Sequence, residues 1–230
     1  MRSEKGRIAH QRALDAQEWG EFLNALVLED EAMIAYQTDG DELGFSEIQA
    51  MRALTYRHLF SQTGYEGYLI KAKHEAEASL DLAEKAGDEA TMSLALVGVG
   101  RILYDLGEYQ EAAKNFERAI EAGEKAGERK SVLADYKVHR FVSLILAGDK
   151  SLIDSAEEAL EELVQSSDAS EYEMEVWTSG AHMKIAEALS QNDSNRTREH
   201  MELAKKIIDS DPKLKLRLEQ WNKLSEKLRN

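Results

Sequence analysis

The 230-residue chain has no cysteine, one proline and no long apolar run. Without cysteine there can be no disulfide framework, no thiol nucleophile and no thiolate metal site. A single proline removes the commonest helix breaker, so long helices with short joints are expected. The longest apolar stretches, Leu94–Gly100 and Leu144–Gly148, are far shorter than the roughly 20 residues needed to span a bilayer. No apolar segment follows a basic one at the start, so no secretory signal is read and a cytoplasmic protein is expected. Positive charge is also in short supply. Lysine and arginine number 29 against 44 acidic residues, a formal charge of −15, which argues against binding through phosphate neutralisation.

Catalytic and metal-binding patterns are missing as well. None of His10, His58, His74, His139, His182 and His200 has a glutamate three residues before it, and no His-Glu-x-x-His occurs. Asp135 and His139 share a helix face, but one carboxylate and one imidazole are too few for a metal, so a solvated or helix-stabilising pair is expected. No Gly-x-Ser-x-Gly elbow is present. Gly98-x-Gly100 follows no strand and is surrounded by Leu, Val and Ile, which reads as close helix packing and not a phosphate loop. The expectation is no enzyme, no cofactor and no metal.

What the chain does contain is a repeat. AEKAGD at 83–88 returns as GEKAGE at 123–128, a spacing of 40. In the same register Gly67 precedes Gly107, Ala72 precedes Ala112, Ala76 precedes Phe116 and Leu80 precedes Ile120. Ala159-Leu160 continues Ala119-Ile120, and Trp19-Gly20-Glu21-Phe22 parallels Leu106-Gly107-Glu108-Tyr109. Coincidences at one spacing mark a repeat of helical hairpins that bury their apolar faces on one another. Apolar periodicity predicts helices over 3–18, 21–38, 45–62, 66–86, 89–106, 109–126, 129–146, 150–166, 169–190, 195–209 and 212–228. Residues 39–45 are read as a longer loop that breaks the period.

The clearest copy, residues 93–126, resembles the tetratricopeptide repeat family through Leu96, Val99-Gly100, Leu103, Gly107, Tyr109, Ala112, Phe116 and Ala119. The spacing is similar to the family's longer-helix variants, and the proline that usually closes a repeat is missing. The resemblance implies an all-α, right-handed α-α superhelix, a tetratricopeptide-like solenoid of about five hairpins. Its repeat domain would be residues 1–210, with residues 211–230 as a C-terminal capping helix packed on the same domain. That last segment carries six basic residues against three acidic ones, and Pro212 is placed in its first turn.

The resemblance further implies that the first helix of each hairpin lines a concave surface that takes a protein or peptide. Helical spacing then places Leu94, Val97, Arg101, Tyr104 and Asp105 in the groove. Asp135, Val138, Val142 and Ile145 follow in the next unit, and Arg52, Tyr56 and Arg57 in the preceding one. Arg101 and Tyr104 are the preferred anchors, since arginine and tyrosine are favoured in interfaces; long helices also bury such residues against the next repeat. The family's chaperone-tail binders use lysines and asparagines, and this stripe departs from that pattern. An amphipathic helix or a basic–apolar peptide suits the mixed apolar and acidic groove better, with neither nucleic acid nor membrane as partner. A peptide-sensing regulatory or signalling subunit and a self-assembling structural protein are the alternatives, with monomer and homodimer both open.

Overall fold

Glycine ends helix after helix in this chain. In the computed structural model, which describes residues 2–229, Gly20, Gly40, Gly64, Gly87, Gly107, Gly127 and Gly148 all have positive φ. At Gly107 φ is 78°, a conformation in which a side chain would crowd the following carbonyl. The joint is closed by two hydrogen bonds, Gly107 N–H to the Tyr104 carbonyl (3.0 Å) and Glu108 N–H to the Leu103 carbonyl (2.8 Å). This pair of bonds satisfies carbonyls that the helix end would otherwise strand. The longer of the two loops recurs at Glu21–Ala16, Asp41–Tyr36, Asp88–Ala83 and Asp149–Leu144.

Between these joints the described residues form eleven α-helices and no strand. They are α1 (Glu4–Glu18), α2 (Phe22–Asp39), α3 (Glu42–Thr63), α4 (Gly67–Ala86), α5 (Glu89–Asp105), α6 (Tyr109–Ala126), α7 (Lys130–Leu146), α8 (Ile153–Gln165), α9 (Glu171–Leu189), α10 (Ser194–Ser210) and α11 (Lys215–Arg229). Consecutive helices pair as hairpins, α1 with α2 through to α9 with α10, giving an all-α helical-repeat solenoid. The chain divides into two compact units, residues 1–126 and 127–230. That division falls inside the span expected to be one repeat domain.

In the first unit α1, α3 and α5 lie side by side, and each packs on its own partner helix. Phe116 of α6 is fully buried against Gly100 of α5, where an added Cβ would lie 3.0 Å from the ring. Gly98 behaves differently. A Cβ there would meet only Ala76, at an ordinary 3.9 Å, so close approach requires glycine at Gly100 and not at Gly98. A second cluster gathers Ala13, Ala25, Leu28, Ala32, Tyr36 and Ile48 from α1, α2 and α3.

In the second unit the core joins Met183, Ala186, Met201, Ala204, Ile208 and Leu214. Leu218, Trp221, Leu224 and Leu228 of α11 pack on it, and the Trp221 indole donates to the Met201 carbonyl (2.9 Å). Asp168 caps α7 from a distance, accepting from the Lys130 N–H (2.7 Å) and the Ser131 N–H (3.3 Å). Ser170 and Glu173 form a capping box at the start of α9. Glu173 also pairs with Arg129, whose hydrogen bond is the main reason its carboxyl is pushed down to about 2.

Three local expectations are corrected. The joint after α2 is only Gly40-Asp41, because the Asp41 carboxylate caps Gly44 N–H (3.1 Å) and starts α3 early; the period breaks in the 22-residue α3 itself. A 3-10 turn, Lys150–Leu152, precedes α8 where a continuous helix was expected. Pro212 lies in a turn ahead of α11, and that turn buries Leu214.

Candidate functional site

The face expected to bind is built from first helices, and packing claims much of it. Because α5 is flanked by α3, α4 and α6, Val97 is only 2% exposed and Tyr104 is buried as well. Tyr56 is buried on α3. On α7, which packs on α8 and α9, Val138, Val142, Ile145 and Asp135 are buried. These side chains serve packing and are not open to a partner. Asp135 and His139 do come together, 3.6 Å apart, but as a buried pair and not a solvated one.

Other members of the predicted stripe are tied to one another. Arg57 of α3 pairs with Asp105 of α5, with Nη2–Oδ1 at 3.3 Å and a shorter bond from Nε. Arg52 bonds Asp30 of α2, reaches Glu75 of α4 (3.1 Å) and donates to the Tyr56 hydroxyl (3.2 Å). Burial raises the Glu75 carboxyl against the opposing pull of Arg52. Leu94 is 48% exposed and Arg101 half-buried, which leaves this part of α5 as the most accessible piece of the stripe.

Beneath α3 lies a polar chain that joins three helices. The Gln17 amide donates to Thr55 Oγ1 (2.8 Å), and that hydroxyl donates to Glu29 Oε1 (2.5 Å). Glu29 is fully buried and its Oε2 has no hydrogen-bond partner among the described residues. Burial pushes its carboxyl up to about 7. The group therefore holds a proton on the acid side of neutrality, as an incompletely satisfied buried carboxyl should.

The second unit contains a cluster that sequence reasoning missed. Glu157 of α8 receives Arg196 of α10 through Nε–Oε1 (3.0 Å) and Nη2–Oε2 (2.5 Å), and Arg196 also reaches Asp154 (3.1 Å). His200 Nε2 lies 3.0 Å from Glu157 Oε1, and His200 Nδ1 lies 2.9 Å from His182 Nδ1 of α9. Although burial works the other way, hydrogen bonds from Arg196 and then His200 keep the Glu157 carboxyl below its ordinary range. An ionised carboxylate only accepts, so His200 Nε2 carries a proton. One of the two Nδ1 atoms, of His182 or of His200, donates to the other. Burial first, and His200 second, push His182 down to about 4, so its ring is neutral near pH 7.

These residues border an open pocket of about 350 Å³ between α8 and α10, lined also by Leu160, Glu161, Val164, Glu199 and Leu203. The pairs that meet across helices stand 18 to 43 residues apart, so no short motif contains the cluster. The available signal was opposite charge one repeat apart on successive second helices, as in Glu157 and Arg196. Among the described residues no group of three or more histidine, cysteine or carboxylate side chains is placed to hold a metal. No helix among them is long and apolar enough to cross a membrane.

Solved structures with this arrangement of helices are tetratricopeptide-like. The chain is similar to BtubC (BKLC) from P. vanneervenii, at 20% identity and a TM-score of 0.59, over 86% of this chain and 77% of that one. It is likewise similar to a putative kinesin light chain of Podosopora anserina with nearly identical TPR-like repeats. There the identity is 16% and the TM-score 0.57, over 90% of this chain and 96% of that one. A Q17M form of the same protein gives a TM-score of 0.58 at 16% identity, over 89% and 94% of the two chains. No protein-family model and no curated protein sequence matches the chain. The likeness establishes a tetratricopeptide-like repeat fold.

Proposed function

We propose that the chain is a non-enzymatic scaffold that binds a protein or peptide on the face formed by its first helices. The observation that carries this reading is the parallel placement of α1, α3 and α5 in the first unit, with Leu94 and Arg101 reaching the surface of α5. A helical-repeat fold of this kind commonly serves protein binding. Arg52 and the Arg57–Asp105 pair support the face from beneath and beside it, so the contact chemistry is an apolar anchor next to a cation. A partner segment with amphipathic character fits that combination.

The test uses the exposed Leu94 and the half-buried Arg101, since replacing buried Tyr104 would confound binding with folding. Leu94→Glu and Arg101→Ala together should lower the affinity for a selected peptide ligand by about tenfold or more, a loss of roughly 1.4 kcal/mol. Thermal stability should stay close to the parent's. Undiminished binding by the double variant would remove this face from consideration.

Self-association is a second reading with one specific observation behind it. Leu23, Val27 and Ile34 of α2 are 67%, 57% and 65% exposed and fall on one side of the helix. Light scattering should show a dimer that Val27→Glu dissociates; a monomer at high concentration rejects this reading.

A further inference from the structure

Each of the three joints that close the hairpins of the first unit carries a large apolar side chain into solvent. Trp19 follows α1 and is 81% exposed, Tyr65 follows α3 and is 67% exposed, and Leu106 is exposed after α5. Leu23 and Ile70, near the starts of α2 and α4, are exposed as well. The equivalent joints of the second unit, Gly148-Asp149-Lys150 and Gln191-Asn192-Asp193, hold no large apolar residue, and Lys150 Nζ donates to Asn192 Oδ1. The backbone bond that closes Glu21 on Ala16 and Glu108 on Leu103 also closes Asp149 on Leu144. The turn therefore forms with or without an apolar side chain.

The three apolar joints run along one edge. Phe22 at the first joint stacks on His58 of α3, with ring centroids 4.9 Å apart. Arg57 of α3 holds Asp105 at the third joint, and Lys73 of α4 lies 3.9 Å from Glu108 there. Charge along this edge has one sign. Residues 17–24, 62–70 and 105–110 contain Glu18, Glu21, Glu66, Asp105 and Glu108 and no lysine or arginine; Gln62 and Gln110 add neutral amides. Asn24 donates to Glu21 (3.0 Å), whereas the exposed Glu18 and Glu66 side chains have no hydrogen bond or ion pair among the described residues. Lys71, the lysine that follows Ile70, lies over the Tyr56 ring.

We propose that this edge binds an extended segment of a partner polypeptide in which an apolar and a basic residue recur every third position. Exposed apolar side chains in a row mark an interaction surface, and a carboxylate beside each one selects arginine or lysine next to the partner's apolar residues. The same carboxylates repel an anionic lipid surface. Helices packed side by side lie roughly 8–10 Å apart, and an extended chain advances about 3.3 Å per residue, so every third residue meets a joint. The edge lies at the helix ends, apart from the face that carries Leu94, and stands independently of the scaffold proposal.

The experiment uses the full chain and a fluorescein-labelled peptide of three Leu-Arg-Ser triplets, followed by anisotropy. Trp19→Ser/Tyr65→Ser should weaken binding by about tenfold or more with little change in melting temperature, since both side chains are exposed. A peptide with glutamate for each arginine should bind at least about tenfold more weakly than the parent peptide. So should a peptide of the same composition with its leucines on alternate residues. Equal affinity in any of these comparisons overturns the proposal, as does no binding at about 1 mM peptide. Loss of binding in Leu94→Glu/Arg101→Ala but not in Trp19→Ser/Tyr65→Ser overturns it while sustaining the first-helix face. A dimer in light scattering that Trp19→Ser/Tyr65→Ser dissociates overturns it by giving the edge to a second copy.

Discussion

At Glu29 a carboxyl sits wholly inside the first unit, held by one threonine hydroxyl. Its folded value of about 7 lies above the ordinary 4.5, so its contribution to stability is fully present below pH 4.5 and is lost as pH rises through 7. Glu29→Gln has no such dependence. Between pH 4.5 and pH 8 the variant should gain on the parent by on the order of 2–3 kcal/mol in urea denaturation; parallel pH profiles would show that Glu29 ionises freely. Nothing local in the sequence marks this residue, because it occupies an ordinary charged position in an apolar helix. The same limit explains Val97 and Tyr104. Helical spacing separates one face of α5 from another, but it cannot tell solvent from a neighbouring helix when more than one face is covered. Leu94 and Val97 are nearly indistinguishable by pattern, and the structure exposes one and buries the other.

The helices themselves were far more legible than their faces. Glycine at seven of the joints, an acidic residue after six of those glycines and an alanine-rich second helix are local signals, and they placed α5 and α6 almost to the residue. The failures occurred where a distant partner intervenes. Asp41 both caps α3 and accepts from the Ser3 N–H (2.7 Å), which shortens a joint that looks long in isolation. Three substitutions test this level. Gly107→Val should cost at least about 1–2 kcal/mol through backbone strain alone, since a Cβ there meets nothing within 4 Å. Gly107→Asn should be milder, because asparagine tolerates the left-handed region. Phe116→Ala should cost about 3–5 kcal/mol by leaving a cavity against Gly100. Chemical denaturation reads all three, and a neutral valine variant would contradict the joint.

Across the whole molecule the shifted groups are unevenly shared: the first unit also holds His10 and Asp88, both lowered, but its most deeply buried carboxyl is raised. The first keeps carboxyls that burial raises, Glu29 and Glu75. In the second, Glu157 and Glu173 are lowered, and His182 is pushed down from 6.5 to about 4. A histidine lowered in this way contributes stability above pH 6.5 that is lost as pH falls through 4. Acidification from pH 7.5 to pH 5 should therefore slow hydrogen exchange at core amides of α2 and α3 relative to those of α9 and α10, after correction for intrinsic rates. A uniform change along the chain would show that these buried groups do not govern the response.

The glycine joints carry one more implication. At Gly87, Gly107 and Gly127 the chain leaves a helix through the same left-handed step, after helices of similar length. A segment running from just after one such step to the next-but-one begins and ends in matching local frames. Residues 88–127 thus form a cassette that tandem duplication can copy without inventing a new turn, and its flanks already suit hairpins of their own kind. Lengthening such a chain is a matter of recopying a module, and the seams are marked by its glycines.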